Sequence, residues 1–189
     1  FAKANGIDIS KVKVEPVGFP TREPMLAEGK VDSVTGFSFS SYLNLVRLGV
    51  PEEDISTILM ADHGLKLYGN AVIVNTDYAK NNSDMVKKFL VAIGAGWRDA
   101  IKDPKAAAAA LVKRNPAADA ALEQRRLQLA IDANVLTDYV KANGMGGVDS
   151  SRFAAAIEQL SETYEYKAAP NAALYFTDEY LPASGISLN

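Results

Sequence analysis

The sequence predicts an α/β protein in which strands and short helices alternate up to Asn75 and helices follow. Two patterns predict this class. Valine alternates with charged residues in KVKVEPV (11–17), which is the period of a β-strand, whereas Val86, Leu90 and Trp97 share one face of a helix. Strands separated by short helices are typical of a parallel or mixed sheet.

The front half is predicted to contain four strands and two short helices after the end of a first helix. Asn5-Gly6 closes that first helix, since glycine readily adopts the positive φ of a helix C-terminus, but no first turn precedes it. We therefore expect an N-terminal part of the fold to lie outside this sequence. The strands are predicted over 11–17, 31–37, 55–60 and 70–75. The helices are predicted from an N-cap at Thr21 to a stop at Gly29, and over 40–48 with Ser40 as the N-cap.

The rear half is predicted as a series of amphipathic helices. A long helix begins at a Ser83 cap, and another is capped by Asp149 and carries Phe153, Ile157 and Leu160 on one face. We further predict helices within 104–114, 117–135 and 137–144, the last ending at Gly144, and a helix or turn within 171–182. Because the sequence offers few strands for these helices to cover, we expect residues 84–101 and 150–164 to leave apolar faces exposed.

Composition and charge narrow the classes of function. The 189 residues carry a net charge of −3 without a run of lysine or arginine, which argues against nucleic acid or an anionic membrane surface as a partner. No apolar segment approaches the roughly 20 residues that span a bilayer. Cysteine is absent, so disulfides, thiolate nucleophiles and cysteine metal sites are excluded within this sequence.

His63 is the one histidine, and the sequence around it indicates neither a metal site nor a catalytic triad. No cluster of Asp and Glu at ligand spacing accompanies it, and no nucleophile is marked nearby. We interpret His63 as a loop residue that hydrogen-bonds to backbone. The sequence therefore predicts no catalytic residue, no metal and no cofactor.

The stretch from Val34 to Gly49 is the strongest candidate for a binding site. A predicted strand ends at Gly36, and a corner rich in aromatic and hydroxyl side chains precedes the next helix: Phe37, Ser38, Phe39, Ser40, Ser41 and Tyr42. Ligands of open α/β sheets bind at the carboxyl ends of strands, where helix N-termini present free N–H groups. Hydroxyls and amides there would hold the polar part of a ligand, and the aromatic rings its flat or apolar part. The alternative is that Ser40 only caps the helix and the aromatic rings pack in the core.

Two further stretches favour the binding interpretation. The turn GFPTRE (18–23) follows the first predicted strand and supplies Thr21 and Arg22. Arg22 has two interpretations, a bidentate contact to a sulfonate or carboxylate, or a solvated surface charge. The second stretch contains Tyr68, Gly69 and Asn70 and lies at the start of the predicted strand that leads into the helical half. Glycine at this crossing would permit a hinge.

Three stretches together resemble the nitrate/taurine/sulfonate-type substrate-binding proteins of ABC importers, a group related to thiamin-pyrimidine synthase. They are GKVDSVTGFSFSSYLNLVRLGVPEEDI (29–55), MADHGLKLYGNAVIVNTDYAKNN (60–82) and NAALYFTDEYLP (171–182), and their order extends the resemblance from residue 1 to about residue 182. The resemblance implies an α/β fold of the type II periplasmic-binding-protein kind, with two lobes, lacking the N-terminal part of the first lobe. It places most of the second lobe in 1–70, and the return crossing with the C-terminal helices of the first lobe in 71–189.

The resemblance implies a non-catalytic, periplasmic binding protein whose signal peptide is not part of this sequence. It would act as a monomer, hold a small polar or anionic solute between its lobes and deliver it to the membrane permease of an ABC importer. The solute classes implied are sulfonate, nitrate, pyrimidine and aromatic acid. The ligand-binding residues are then predicted to be Phe37, Ser38, Ser40, Ser41, Tyr42, Tyr68, Gly69, Asn70, Thr21 and Arg22.

Two alternatives belong to other classes of function. One is the pyrimidine-forming enzyme of the same superfamily, whose relatives depend on a cysteine-rich motif and on histidines. This sequence has no cysteine and one histidine, which disfavours the enzyme. The other alternative is the effector-binding domain of a transcription regulator, which shares the topology. The long helical C-terminal half disfavours that domain.

Overall fold

The computed structural model describes residues 1–168 and 170–188, and it is 58% helical. The α-helices of the described residues are α1 (Phe19–Ala27), α2 (Ser38–Arg47), α3 (Thr76–Asn81), α4 (Ser83–Lys102), α5 (Pro104–Arg114), α6 (Ala120–Ala130), α7 (Asp138–Asn143) and α8 (Ser150–Thr163). Turns of 3₁₀-helix cover Lys3–Asn5, Ile9–Lys11, Glu52–Asp54, Met60–His63 and Ala172–Leu174. A π-helical turn, Ile131–Val135, continues α6.

Side-chain caps begin most of the rear helices, because they satisfy backbone N–H groups that have no partner within the helix. Asp103, Asp119, Thr137 and Asp149 each accept a hydrogen bond from the N–H three residues further on. The predicted cap at Asp149 and the predicted stop at Gly144 are confirmed. The last predicted element, in 171–182, is a single 3₁₀ turn.

The N-caps predicted at Thr21 and Ser83 are both displaced. α1 begins two residues before Thr21, because Gly18 is the N-cap and Pro20 fits the first turn, where no N–H is needed. Thr21 therefore lies inside the helix and is exposed. α4 begins at Ser83 itself, and its N-cap, Asn82, makes no side-chain capping bond.

The four predicted strands form no β-ladder in the described part of the chain. Their backbones are extended, as at Val12 (φ −98°, ψ 117°) and Ile55 (φ −99°, ψ 110°), but no second strand pairs with them. A period-two pattern favours an extended backbone, whereas a strand is completed only by hydrogen bonds from a neighbour. The β-bridge in residues 1–168 and 170–188 joins Met145 and Ile186. The strands predicted over 11–17, 31–37, 55–60 and 70–75 are therefore wrong as elements of this structure.

The packed part of the fold is a set of helices around α6. α5 packs on α4 and α6, and α2 packs on α6 and α1. Leu43 of α2 is 0% exposed, and α5 and the π-helical turn bury Ala108 and Ile131. The C-terminal segment crosses α4, where Ile186 is buried.

The chain leaves a large apolar surface in contact with solvent. Its accessible surface is 13603 Å², against about 8,800 Å² for a compact monomer of 20.3 kDa. On α4, Met85, Phe89 and Val91 are more than half exposed, but they lie outside the predicted apolar stripe, which is buried at Val86 and half-buried at Trp97. On α8 the predicted face is half-buried, and its exposed apolar residue is Tyr164 at the end.

Candidate functional site

α1 and α2 meet at the predicted corner through a buried carboxylate. Glu23 is 3% exposed, and Ser41 Oγ donates a hydrogen bond of 2.6 Å to its Oε1. Arg22 Nη2 lies 3.8 Å from the same oxygen. A carboxylate out of water must be paired or hydrogen-bonded, so Ser41 has a structural role here. Sequence reasoning missed Glu23, because nothing local indicates that an acid in a short surface-type helix is buried.

Arg22 is held by the corner and is not a solvated surface charge. Its guanidinium lies over the Phe19 ring, 4.6 Å from the ring centroid, and its Nη1 donates to the Thr35 carbonyl. Its Nε is buried and has no hydrogen-bond partner in the described part of the chain. The solvated-charge interpretation of Arg22 is therefore wrong.

Gly36 is needed at the corner because of its lack of a side chain. A Cβ at this position would lie 2.0 Å from Ser41 Oγ, and 3.6 Å from Arg22 Nη2. Only glycine lets the chain pass this close to the hydroxyl that holds Glu23.

The first turn of α2 is the open end of the corner. The Phe37 and Phe39 rings stack with 5.4 Å between centroids, and Phe37 is 47% exposed. The N–H groups of Ser40 and Ser41 both donate to the Phe37 carbonyl at 2.9 Å, so the helix starts from Phe37 as its N-cap. Among the described residues, neither the backbone N–H nor the hydroxyl of Ser38 has a partner. Ser38 therefore presents a free donor and a free hydroxyl to a ligand.

The prediction that Ser40 is the N-cap of α2 is wrong, because Phe37 occupies that position. Its hydroxyl instead accepts from Arg126 Nη1 of α6 at 3.2 Å, and the same nitrogen lies 3.3 Å from the Phe39 carbonyl. Arg126 Nε donates to Glu123 Oε2 at 3.1 Å. Arg126 therefore joins the corner to α6. The spacing of Glu123 and Arg126 indicates an i,i+3 pair in the sequence, but nothing local indicates its contact with α2.

Tyr42 belongs to an exposed network between α2, the Glu52 turn and α6. Its hydroxyl donates to Glu52 Oε2 at 2.5 Å, and Arg125 donates to both carboxylate oxygens of Glu52, with 2.7 Å from Nη1 to Oε1. Hydrogen bonds from Arg125 and then Tyr42 lower the pKa of Glu52 from 4.5 to about 2. The hydrogen bond to Glu52 raises the pKa of the Tyr42 hydroxyl.

The Glu52 network predicts a loss of stability in acid. Because the pKa of Glu52 is lower in the folded chain than its ordinary 4.5, its contribution is present above that value and is lost as the pH falls toward about 2. We expect the Tm of the wild-type chain to exceed that of Glu52→Gln at pH 6, and the difference to shrink steadily below pH 4.5. Thermal melts of both chains from pH 6 to pH 2 measure it. A Tm difference that does not change with pH would contradict the assigned pKa.

The structure places the other predicted residues against α8. The Tyr68 hydroxyl accepts from the Asp149 N–H at 2.8 Å, and the Arg152 guanidinium lies 4.4 Å from the Tyr68 ring centroid. Gly69 and Asn70 are exposed beside it. No hydrogen bond or ring contact in the described part of the chain joins these three residues to the corner. Whether they share a site with the corner stays a prediction.

A cavity of about 530 Å³ that is wide open to solvent lies beside the corner, between α4, α5 and α6. Phe39 of α2 forms one wall, and the Glu123–Arg126 pair lies at the same cavity. The other walls are apolar or small, with Ile93, Gly96, Trp97, Ala100, Ala107, Ala108, Leu111, Leu127 and Ala130. Sequence reasoning placed Trp97 on a core-facing stripe and did not predict a cavity, because the space depends on how three helices meet.

The remaining titratable clusters indicate no metal. In the part of the chain that the structure describes, no group of three or more His, Cys, Asp or Glu side chains could hold a metal ion. His63 is exposed, its ring meets Phe1 edge-on at 6.4 Å, and its carbonyl accepts from Asn5 Nδ2 at 2.8 Å. Within the described residues, no helix has the length and apolar character that a bilayer crossing requires.

Comparison with known families defines the class of the chain: the matching family has a periplasmic-binding-protein-like fold, and most of its members bind small solutes. The chain belongs to the NMT1/THI5-like family, because the model of the family described as "NMT1/THI5 like" matches residues 1–107. That family comprises nitrate-, sulfonate- and taurine-type substrate-binding proteins of ABC importers, and proteins related to thiamin-pyrimidine synthase. The resemblance seen in the sequence is therefore confirmed over residues 1–107, and the segment 171–182 lies beyond the match. No curated protein and no solved structure matches the chain.

Proposed function

We propose that this chain is part of the solute-binding component of an ABC importer, which works in the periplasm and delivers its solute to the membrane permease. The solute is small and polar or anionic, as in the sulfonate, nitrate, pyrimidine and aromatic-acid binders. The protein acts as a monomer and is not an enzyme. The two-lobed type II arrangement, with most of the second lobe in 1–70 and the return crossing and first-lobe helices in 71–189, is part of the proposal.

Membership of the NMT1/THI5-like family over residues 1–107 carries this proposal, and the matched part contains the whole corner. At the corner, Ser38 offers an unpaired hydroxyl and N–H beside the stacked rings of Phe37 and Phe39. A few polar groups next to aromatic walls are typical of small-molecule sites. Arg22 lies close to Gly36, where it is paired with the buried carboxylate of Glu23.

Binding is favoured over the synthase-like alternative by the chemistry of the side chains. The sequence has no cysteine, and its one histidine is engaged at an exposed turn with Phe1 and Asn5. No hydrogen bond joins His63 to a nucleophile in the described residues. The corner contains hydroxyls and guanidinium groups that can hold a solute, and its buried carboxylate, Glu23, is engaged by Ser41.

Ser38 and Ser41 provide a matched test of the corner. A thermal-shift screen of the chain against sulfonates, nitrate, pyrimidines and aromatic acids first identifies a solute, since a ligand at a hundredfold excess over its Kd adds about 2.7 kcal/mol. Ser38→Ala is then expected to weaken binding about 10- to 100-fold, as for the loss of a hydrogen bond to a charged group, with an unchanged Tm of the free chain. Calorimetry measures the Kd of each variant.

Ser41→Ala is the structural counterpart. It removes the hydrogen bond to buried Glu23, so we expect the free chain to lose about 1.5 kcal/mol, or about 3–6 °C in Tm. If Ser38→Ala and Tyr42→Phe both bind the solute as tightly as the wild-type chain, the corner is structural and the proposed site is wrong.

A further inference from the structure

We propose that the cavity between α4, α5 and α6 binds a small neutral aromatic molecule that carries a hydrogen-bond donor next to an acceptor, such as a primary carboxamide. This site is formed largely by the helical half of the chain and shares only Phe39 with the predicted corner. It does not depend on the proposed role in transport.

The size and walls of the cavity fit a small ligand. Its volume of about 530 Å³ lies within the roughly 300–1,000 Å³ of small-molecule pockets. Phe39 and Trp97 supply aromatic walls, and Ile93, Leu111 and Leu127 supply aliphatic ones. Alanine and glycine on the facing surfaces of α4, α5 and α6 leave the space open. A flat apolar ring is the group that such walls favour.

The Glu123–Arg126 pair supplies the polar part of the site. Their side chains are 19% and 21% exposed, and they neutralise each other through the 3.1 Å contact between Nε and Oε2. Two hydrogen-bonding atoms remain without a partner in the described part of the chain, Arg126 Nη2 as a donor and Glu123 Oε1 as an acceptor. A ligand group that both accepts and donates matches these two atoms.

The paired charges argue against a bare anion or cation in this cavity. A carboxylate would meet the charge of Glu123 beside a guanidinium that is already neutralised, and an ammonium group would meet Arg126. A carboxamide is neutral, accepts through its oxygen and donates through its nitrogen. The chemistry of the pair therefore selects a neutral group.

Two residues of α4 allow ligand binding in the cavity to be tested. Trp97 is the one tryptophan of the sequence and lines the cavity, so its fluorescence reports occupation directly. Gly96 also lines the cavity, and a Cβ placed on it meets no atom within 4 Å. A leucine at position 96 therefore takes up part of this space without a backbone clash. Ala92 lies on the same helix, exposed and outside the cavity, and provides the matched position.

The test is a titration of the full chain with benzamide, benzoate and benzylamine, followed by Trp97 fluorescence. We expect saturable binding of benzamide with a Kd of about 1 mM or below, from the efficiency of small ligands. Benzoate and benzylamine are expected to bind at least about tenfold more weakly. Gly96→Leu is expected to abolish the benzamide response, and Ala92→Leu to retain it. Thermal melts verify that both variants are folded.

Glu123→Gln tests the selectivity. It keeps the size of the side chain and removes its charge, so Arg126 is left with a net positive charge facing the cavity. We expect benzoate to gain about tenfold in affinity relative to benzamide. The proposal is overturned if folded Gly96→Leu responds to benzamide like the wild-type chain. It is also overturned if wild type binds benzoate as tightly as benzamide, or if benzamide gives no saturable response.

Discussion

Replacing Leu43 by alanine is expected to lower the free energy of unfolding by about 2–5 kcal/mol, the range for a buried leucine cut back to alanine. Leu43 is 0% exposed and is the large side chain that the described part of the chain buries completely. It lies in α2, the helix that packs on both α1 and α6. Since the neighbouring helices relax only partly, the lost contacts and the remaining cavity both reduce stability.

Leu48 is the matched control for this substitution. It follows α2 directly and is 46% exposed, so Leu48→Ala is expected to cost less than about 1 kcal/mol. Urea unfolding of both variants measures the difference. Because Leu43→Ala can unfold a marginally stable chain, Leu43→Met provides the second measurement, with an expected loss below about 1.5 kcal/mol. Equal losses for positions 43 and 48 would contradict the burial of Leu43 in the helix core.

The rear helices could be predicted from the sequence because their signals are local. The stripe that includes Val86, Leu90 and Trp97 predicts α4, and Asp149 with the apolar face after it predicts α8. An N-cap and a 3.6-residue period are complete within one segment, so no distant part of the chain is needed to interpret them. The N-cap of α4 is displaced by one residue, from Ser83 to Asn82, whereas the N-caps predicted at Thr21 and Ser40 in the front half are each three residues late.

The strands could not be established in the same way. KVKVEPV and NAVIVN have the right alternation or apolar run, but a strand also requires a second one beside it, and alternation does not say where that partner lies. In the structure both segments remain unpaired within the described residues, and Val14 and Ile73 are 71% and 92% exposed. The sequence contained the local pattern of a strand, but the structure does not supply the long-range hydrogen bonds that complete one within the described residues.

The candidate site also depends on long-range contacts that the local sequence does not reveal. A corner with serines and aromatic residues was visible in the sequence, and so was its position before a helix. The contacts that assign its hydroxyls were not visible, because Ser40 meets Arg126 and Tyr42 meets Glu52 and Arg125 across the fold. These contacts change the interpretation of each hydroxyl, and they leave Ser38 as the free one.

Gly94→Leu is expected to lower the free energy of unfolding by about 3 kcal/mol and the Tm by about 6–12 °C. A Cβ on Gly94 would lie 2.1 Å from Ile186 Cγ2, and Ile186 is 4% exposed against this face of α4. The backbone of Ile186 is also tied to Met145, with N–H to carbonyl distances of 2.8 and 2.9 Å in the two directions. The isoleucine therefore cannot retreat without losing both its burial and its hydrogen bonds.

Gly96→Leu separates this steric effect from a general intolerance of α4 to larger residues. The same side chain placed two residues further along meets open space, and leucine forms helix better than glycine by up to about 1 kcal/mol. We therefore expect Gly96→Leu to melt at or above the wild-type temperature while Gly94→Leu melts well below it. Ile186→Ala in the Gly94→Leu background should recover part of the loss, because it removes the atom that clashes. Equal melting temperatures for the two leucine variants would mean that the C-terminal segment is not docked on α4 at Gly94.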